Sequence, residues 1–361
     1  MDAVRTRTGR LSGKSLEPIA LGSRLLGCGG GGDSAIGLRL CERYFCEDAI
    51  EMIDPLCRAD AGHAEGDAVA LGIVGAGTEL LSELLPSGDE FAAAVSQLAR
   101  WGIAPAAVVP LEAGGINGLT AVAAASQLGL PVVDADLAGR ALPRIDQFSS
   151  CLSGRSPLPA VLVDCFGHRI GVETDLRGCS DADYLERLIR ALVRESAGWA
   201  VLGFSVGATG GLAEAVVPHT LTRARDLGLG LASVSSSSDL ALWARTNEGT
   251  LLGHGTVSSL SRPRAQATGC FTVESRTGLI RIDMQNEFLL VSIDGEVVCT
   301  TPAIIGVLDV RRFTPLGADE IAVGTEVSVL VLPARFPRNA AGYRHGTGPH
   351  AFGIDHPPVL P

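Results

Sequence analysis

Apolar residues near the start of the chain recur at helical spacing. This spacing predicts one helix over residues 15–26 and a second that Asp33-Ser34 caps and that continues to about Phe45. Between them lies Gly27-Cys28-Gly29-Gly30-Gly31-Gly32, which must end the first helix because glycine adopts positive φ at little cost. We therefore predict a glycine-rich loop that joins two helices.

Strands and helices alternate through the next part of the chain. Buried-strand patterns at 67–74, 106–111 and 130–136 are separated by helical patterns at 89–101 and 118–128. Such alternation is typical of an α/β domain, a mostly parallel sheet with helices on its faces. Ligands of these sheets gather at the carboxyl ends of the strands, so polar residues that follow a strand are candidates for a binding site.

The second half of the chain has a different pattern. Helical spacing at 181–195 and 220–227 precedes short runs of Val, Ile, Thr and Phe between turn residues, with a hairpin turn expected at Asp294-Gly295. We predict an α/β domain over 1–168 and a C-terminal domain over 169–361. The second domain is expected to be β-rich from 250 to 332 with an irregular tail over 333–361, which makes the whole a multidomain α+β protein.

Composition excludes several classes of protein. Hydrophobic residues make up 46% of the 361 residues and charged residues 19%, a balance that supports a large buried core. The formal net charge of -11 and the lack of a basic run argue against a nucleic-acid partner. The sequence contains no apolar segment of the length of a membrane span or signal peptide, and its nine cysteines form no CxxC pair. We therefore expect a cytoplasmic protein without membrane association.

The glycine-rich loop satisfies the GxGxxG pattern, but it follows a helix where a dinucleotide site requires a strand. We therefore expect no nucleotide cofactor. Successive N–H groups before a helix can instead bind an anion or a carbonyl oxygen, which makes residues 30–33 candidates for substrate binding, with a flexible connector as the alternative. Cys28 is either a nucleophile that the helix end activates or a small buried residue.

Acidic and amide side chains follow two of the predicted strands. Glu112 and Asn117 follow the strand over 106–111, and Asp134 and Asp136 end the strand over 130–136. Three carboxylates at such an edge could hold a divalent metal, orient water or bind substrate amines, whereas helix capping and loop bonding are the alternative. Arg140 is suited to bind a substrate carboxylate or, equally, to pair with one of these acids.

The most specific of these motifs is the run Glu112-Ala113-Gly114-Gly115-Ile116-Asn117. Together with the segments 26–33, 75–78 with Glu83, 129–136, 139–143, 220–224, 324–333 and 348–353, it resembles the S-methyl thiohydantoin desulfurase-like family. The resemblance spans nearly the whole chain. One departure is Cys28, which stands where the family usually has threonine.

The resemblance implies a two-domain protein, of a family often found beside hydantoin or oxoproline hydrolases, that acts on hydantoin-like or thiohydantoin-like rings. We therefore predict an enzyme that hydrolyses or desulfurises a small cyclic amide at a ring carbon, and we expect a homo-oligomer. A non-catalytic binding or regulatory subunit of an amidohydrolase assembly is the alternative. In the predicted site Asp134, Asp136 and Cys28 are catalytic, and the substrate contacts Gly30, Gly31, Gly32, Asp33, Glu83, Glu112, Asn117, Arg140 and Thr220.

Overall fold

The computed structural model describes residues 8–45, 49–56, 66–75, 83–174, 181–196, 198–262, 268–338 and 340–361. Within these ranges the chain forms an eight-stranded sheet, a separate two-stranded pair and a seven-stranded sheet. The strands of the N-terminal part are β1 (Thr8–Ser12), β2 (Ala49–Ile53), β3 (Asp67–Gly75), β4 (Pro105–Pro110), β5 (Val132–Val133), β6 (Ala135–Asp136), β7 (Ala160–Asp164), β8 (Arg169–Val172), β9 (Trp199–Ala208) and β10 (Val217–Pro218).

The α-helices of the described ranges confirm the helical patterns of the sequence. They include the two helices on either side of the glycine-rich loop, and none is long and apolar enough to cross a membrane. Their bounds are α1 (Leu16–Leu26), α2 (Ser34–Tyr44), α3 (Asp89–Arg100), α4 (Asn117–Leu128), α5 (Ser149–Leu152), α6 (Asp181–Glu195), α7 (Thr220–Ala232), α8 (Ser237–Thr246) and α9 (Ala340–Thr347).

The eight-stranded sheet has the order β1-β2-β5-β4-β3-β9-β7-β8 and is mixed. The neighbours β2, β5, β4 and β3 run parallel, and helices α3 and α4 cross over between β3, β4 and β5. The remaining pairs are antiparallel. The predicted α/β unit is thus confirmed, with its parallel pairing limited to four strands, whose carboxyl ends meet at one edge.

This sheet continues beyond the predicted domain boundary. The boundary at 168/169 falls between β7 and β8, which pair with each other in the sheet. Strand β9, further along the chain, lies between β3 and β7. Because a hairpin and its neighbours share hydrogen bonds, the first structural unit extends at least to the end of β9.

The second sheet is antiparallel and curled, and it confirms the predicted β-rich segment. Asp294 and Gly295 have φ of 51° and 91°, as the expected tight hairpin turn requires. The strands of this sheet are β11 (Thr250–Ser261), β12 (Gly269–Ser275), β13 (Gly278–Met284), β14 (Phe288–Ile293), β15 (Glu296–Thr300), β16 (Ile304–Asp309) and β17 (Glu326–Leu332). Their order in the sheet is β15-β14-β13-β12-β11-β17-β16.

The tail that was expected to be irregular is partly helical, because it contains α9 and a short 3-10 helix, Pro349–Phe352. Tertiary contacts hold it in place. The hydroxyl of Tyr343 donates to the carbonyl oxygen of Ala138, and Nε2 of Gln285 donates to the carbonyl oxygen of Phe352 at 3.2 Å. The tail therefore contacts both domains. Sequence periodicity does not reveal these contacts.

Candidate active site

A cleft of about 870 Å³ lies between the two domains, at the carboxyl ends of β3 and β4. One side is formed by the glycine-rich loop, the residues that follow β4, and α6. The C-terminal domain supplies the opposite side through the turn at 284–287 and the loop at 317–320. The cleft therefore lies at the predicted strand ends, although part of its wall comes from the other domain.

The glycine-rich loop packs closely against neighbouring backbone and side-chain atoms. A Cβ atom at Gly30 would lie 2.5 Å from Oε1 of Glu287, and one at Gly115 would overlap the carbonyl group of Gly31. The loop is also bonded to the C-terminal domain, since the N–H of Phe288 donates to the carbonyl oxygen of Cys28 at 2.6 Å. Because glycine has no Cβ atom, it permits these close approaches at Gly30 and Gly115.

Two N–H groups of this loop are available to a ligand. Within the described part of the chain, the N–H groups of Gly31 and Gly32 donate to no acceptor, and both residues line the cleft. Asp33 also lines the cleft, and its Oδ1 accepts from the N–H of Ala35 at 2.9 Å, which confirms the predicted cap of α2. The arrangement can therefore offer backbone donors to a carbonyl oxygen or an oxyanion.

Glu112 follows β4 and reaches the cleft with both carboxyl oxygens hydrogen-bonded. Oε1 accepts from Nδ2 of Asn117 at 3.3 Å, and Oε2 accepts from the N–H of Leu142 at 3.0 Å. Burial raises the pKa of Glu112 to about 8, against the lowering effect of these two hydrogen bonds. A carboxyl group with this pKa is suited to acid–base chemistry near neutral pH.

Glu287 is a second buried carboxyl in the same cleft, and it comes from the turn between β13 and β14. Its Oε2 has no hydrogen-bond partner among the described residues. Burial raises the pKa of Glu287 to about 7, while the charge of Arg140 lowers it. The charge of Glu287 in turn contributes to the raised pKa of Glu112, so the two carboxyl groups interact.

Asp136, predicted to be catalytic, is buried away from the cleft. Its carboxylate accepts from the N–H groups of Ala113 at 2.5 Å, Ala138 at 3.2 Å and Gly139 at 2.7 Å. Burial raises the pKa of Asp136 to about 7, although these bonds lower it. These bonds hold the turn after β6 against the segment after β4. This is the loop-bonding role that the sequence also allowed.

Asp134, also predicted to be catalytic, binds the start of α7 instead of the cleft. Its Oδ1 accepts from the N–H of Thr222 at 2.9 Å and its Oδ2 from the hydroxyl of Thr222 at 2.6 Å. Nδ1 of His219 lies 3.5 Å from Oδ2, and the hydrogen bond raises the pKa of His219. The strand carrying these acids splits into β5 and β6, and β6 pairs with β10 outside the sheet.

Arg140 is buried in the contact between the domains, where its donors are already occupied. Nη1 donates to the carbonyl oxygen of Ala303 at 2.8 Å and to Oγ1 of Thr301 at 3.4 Å, and Nη2 donates to the carbonyl oxygen of Phe288 at 3.0 Å. It does not line the cleft. In this geometry the guanidinium joins the two domains, and a substrate carboxylate would have to displace these bonds.

The other three predicted residues also lie outside the cleft. Cys28 is buried, and burial raises the pKa of its thiol, which opposes a role as a nucleophile. Thr220 is buried at the start of α7, and its hydroxyl has no hydrogen-bond partner within the described ranges. Glu83 is exposed at the surface. Of the twelve predicted residues, the cleft brings together Gly30, Gly31, Gly32, Asp33, Glu112 and Asn117.

Sequence reasoning missed the residues that enter from other elements. Glu287 lies in a polar turn between two strands, and such turns are common without function. Glu186, Arg190 and Arg194 lie on one face of α6, where charged residues at this spacing usually form a solvated face. No local signal separated them from surface residues, because their position depends on how α6 and the second domain dock.

No group of three or more His, Cys, Asp or Glu side chains that could hold a metal ion is found in the ranges the structure describes. The three carboxylates expected at one edge are separated, since Glu112 lines the cleft whereas Asp136 and Asp134 bond to backbone groups elsewhere. The residues present therefore do not assemble the carboxylate site that the sequence suggested.

Fold and cleft together define a two-domain α+β protein with a pair of buried carboxyl groups between its domains. The chain belongs to the S-Me-THD-like family, that is, the S-methyl thiohydantoin desulfurase-like proteins: residues 14–174 match the model of the N-terminal domain and residues 180–359 that of the C-terminal domain. The resemblance noted in the sequence is thereby confirmed.

A solved structure has the same fold. The crystal structure of a protein from Chromobacterium violaceum is similar with a TM-score of 0.80 and 24% sequence identity, and the match covers 98% of this chain and 99% of that chain. At this identity the likeness concerns the fold alone. No curated protein matches the chain.

Proposed function

We propose that the protein is an enzyme that hydrolyses or desulfurises a small cyclic amide or thiohydantoin-like ring. The observation that carries this proposal is the pair Glu112 and Glu287, two buried carboxyl groups with pKa values of about 8 and about 7 in one cleft. Carboxyl groups near neutrality are able to exchange protons with a substrate at physiological pH.

The two carboxyl groups have complementary roles. Near neutral pH Glu112 keeps its proton, whereas Glu287 is partly ionised. Glu287 therefore takes a proton from water as the water oxygen bonds to the ring carbon. As the C–N bond of an amide or the C–S bond of a thioether breaks, Glu112 gives its proton to the leaving nitrogen or sulfur. The N–H groups of Gly31 and Gly32 stabilise the negative charge that develops on the oxygen.

The cleft also suits a ring of this kind as a ligand. A protonated carboxyl group presents a donor and an acceptor side by side, and a cyclic amide presents the matching N–H and C=O. Asn117 keeps Glu112 in place through its amide. A volume of about 870 Å³ accommodates a small metabolite with substituents.

Turnover of a panel of hydantoins, S-methyl thiohydantoins and oxoproline-like lactams, followed by mass spectrometry, tests the proposal. Glu112→Gln and Glu287→Gln are each expected to lower the rate by about 100-fold, the usual size of a lost acid or base. Asp134→Asn serves as the control, because that side chain bonds Thr222 outside the cleft. A normal rate in both glutamine variants would refute the assignment. Ligand-induced stabilisation without turnover would favour the binding-subunit alternative.

A further inference from the structure

Two arginines on one face of α6 line the exposed part of the cleft. Arg190 and Arg194 are one helical turn apart. Arg190 is held in place, because its Nε lies 2.6 Å from Oε1 of Glu186 and its Nη2 donates to the carbonyl oxygen of Pro143 at 3.2 Å. Arg194 has no ion pair or hydrogen bond with any residue that the structure describes.

The other cleft arginines are engaged. Arg24 pairs with Asp33 at 3.7 Å and with Glu320, and Arg144 pairs with Asp146 at 3.0 Å. Arg262, the fifth arginine of the cleft wall, donates to backbone carbonyl groups of residues 318, 319 and 321. Among the residues that the structure describes, the guanidinium of Arg194 is thus a cleft cation whose donors have no acceptor.

The arginine pair lines the same cleft as the carboxyl pair but is more exposed to solvent. Glu112 and Glu287 are buried, whereas the side chain of Arg190 is half-exposed and Arg194 is exposed. The charge of Arg190 acts on Glu287, which places the first arginine near the buried acids. A ligand seated on the carboxyl groups would extend its substituents along α6 towards Arg194.

We infer that the substrate of this cleft carries a carboxylate substituent, which Arg194 binds with Arg190 beside it while the ring contacts Glu112 and Glu287. The inference rests on the site of the proposed function and adds a substrate class to it. A guanidinium fork matches a carboxylate through two parallel N–H···O bonds. Because the chain has a net charge of -11, an anionic ligand needs such a local cationic patch to enter.

Binding of two matched compounds to the full chain, measured by calorimetry, tests the inference. One compound is a hydantoin with an acetate side chain on its saturated ring carbon, and the other is the same hydantoin with the uncharged acetamide. We expect the acetate to bind about tenfold more tightly, the effect of one charge-assisted hydrogen bond. Arg194→Ala should remove this preference and Arg194→Glu should reverse it.

Arg187→Ala is the matched control, because Arg187 lies on the same helix, pairs with Asp183 and does not line the cleft. The control should keep the full preference. Equal affinity for the two compounds, or no binding of either, would overturn the inference. A preference for the acetate without turnover of any ring would refute only the proposed reaction. Turnover without a preference for the acetate would refute only the inference that the substrate carries a carboxylate.

Discussion

The side-chain amide of Asn117 connects the carboxyl group of Glu112 to the backbone of β3. Its Nδ2 lies 3.3 Å from Oε1 of Glu112 and 2.9 Å from the carbonyl oxygen of Ile73, while its Oδ1 accepts from the N–H of Ile73 at 2.7 Å. Asn117, the first residue of α4, thus holds the end of β3 and the carboxyl group of Glu112, which follows β4. Position of the acid and packing of the sheet are coupled through one side chain.

Asn117→Ala should therefore affect both stability and acid–base behaviour. Loss of the paired bonds to buried Ile73 is expected to lower the free energy of unfolding by roughly 1–3 kcal/mol. Loss of a donor to the ionised form should raise the pKa of Glu112 and shift the alkaline limb of the turnover profile to higher pH. Urea titration and a pH–rate profile measure these effects. Ser126→Ala on the same helix should change neither, since that hydroxyl has no partner among the described residues.

Stability should decline as pH rises through neutrality. The pKa of Glu112 is raised from 4.5 to about 8, and those of Glu287 and Asp136 to about 7, so the folded state retains protons that the unfolded state has lost. The stability due to these groups is complete below their unfolded pKa values and is lost as pH rises through the folded values.

Glu112→Gln tests this dependence by unfolding titrations between pH 4.5 and 8. The variant should lose less stability than the wild type across the window, by an amount on the order of 4 kcal/mol. Parallel curves for the two proteins would show that the pKa of Glu112 is not raised by folding.

Arg140→Met distinguishes a domain-joining role from a substrate-binding role. The change leaves the buried carbonyl oxygens of Phe288 and Ala303 without their donors and should lower the free energy of unfolding by roughly 2–4 kcal/mol. Exposed Arg187→Met should cost about 0.5 kcal/mol or less. Thermal and urea denaturation provide the comparison. Unchanged stability with lost ligand affinity would instead restore the role that the sequence suggested.

Gly30→Ala probes the contact between the glycine-rich loop and the carboxyl group of Glu287. The new methyl group would lie 2.5 Å from Oε1, so Glu287 must move, and turnover should fall by about tenfold or more because reacting groups need close positioning. Gly13→Ala is the control, since its nearest neighbour would be an ordinary contact at 3.9 Å. Equal rates in the two variants would show that the position of Glu287 is unimportant for the reaction.

Local pattern predicted those parts of the site that lie next to their own element in the chain. The glycine-rich loop, the cap at Asp33 and the pair Glu112 and Asn117 follow directly from where helices and strands end. For Asp134 and Asp136 local pattern left catalysis and loop bonding open, and in the structure a strand that splits turns their carboxylates towards backbone N–H groups. Arg140 likewise satisfies carbonyl groups of a domain that no local pattern places beside it.

The sequence by itself determined the alternation of helices and strands, the β-rich second half, the family and one of the two buried acids, because hydrophobic spacing and glycine chemistry act over a few residues. Only the tertiary structure decided that Glu287 joins Glu112 and that α6 lines the cleft with Arg190 and Arg194. The reason is that burial shifts the pKa of a carboxyl group. Burial here is created by the packing of two domains whose residues are far apart in the sequence.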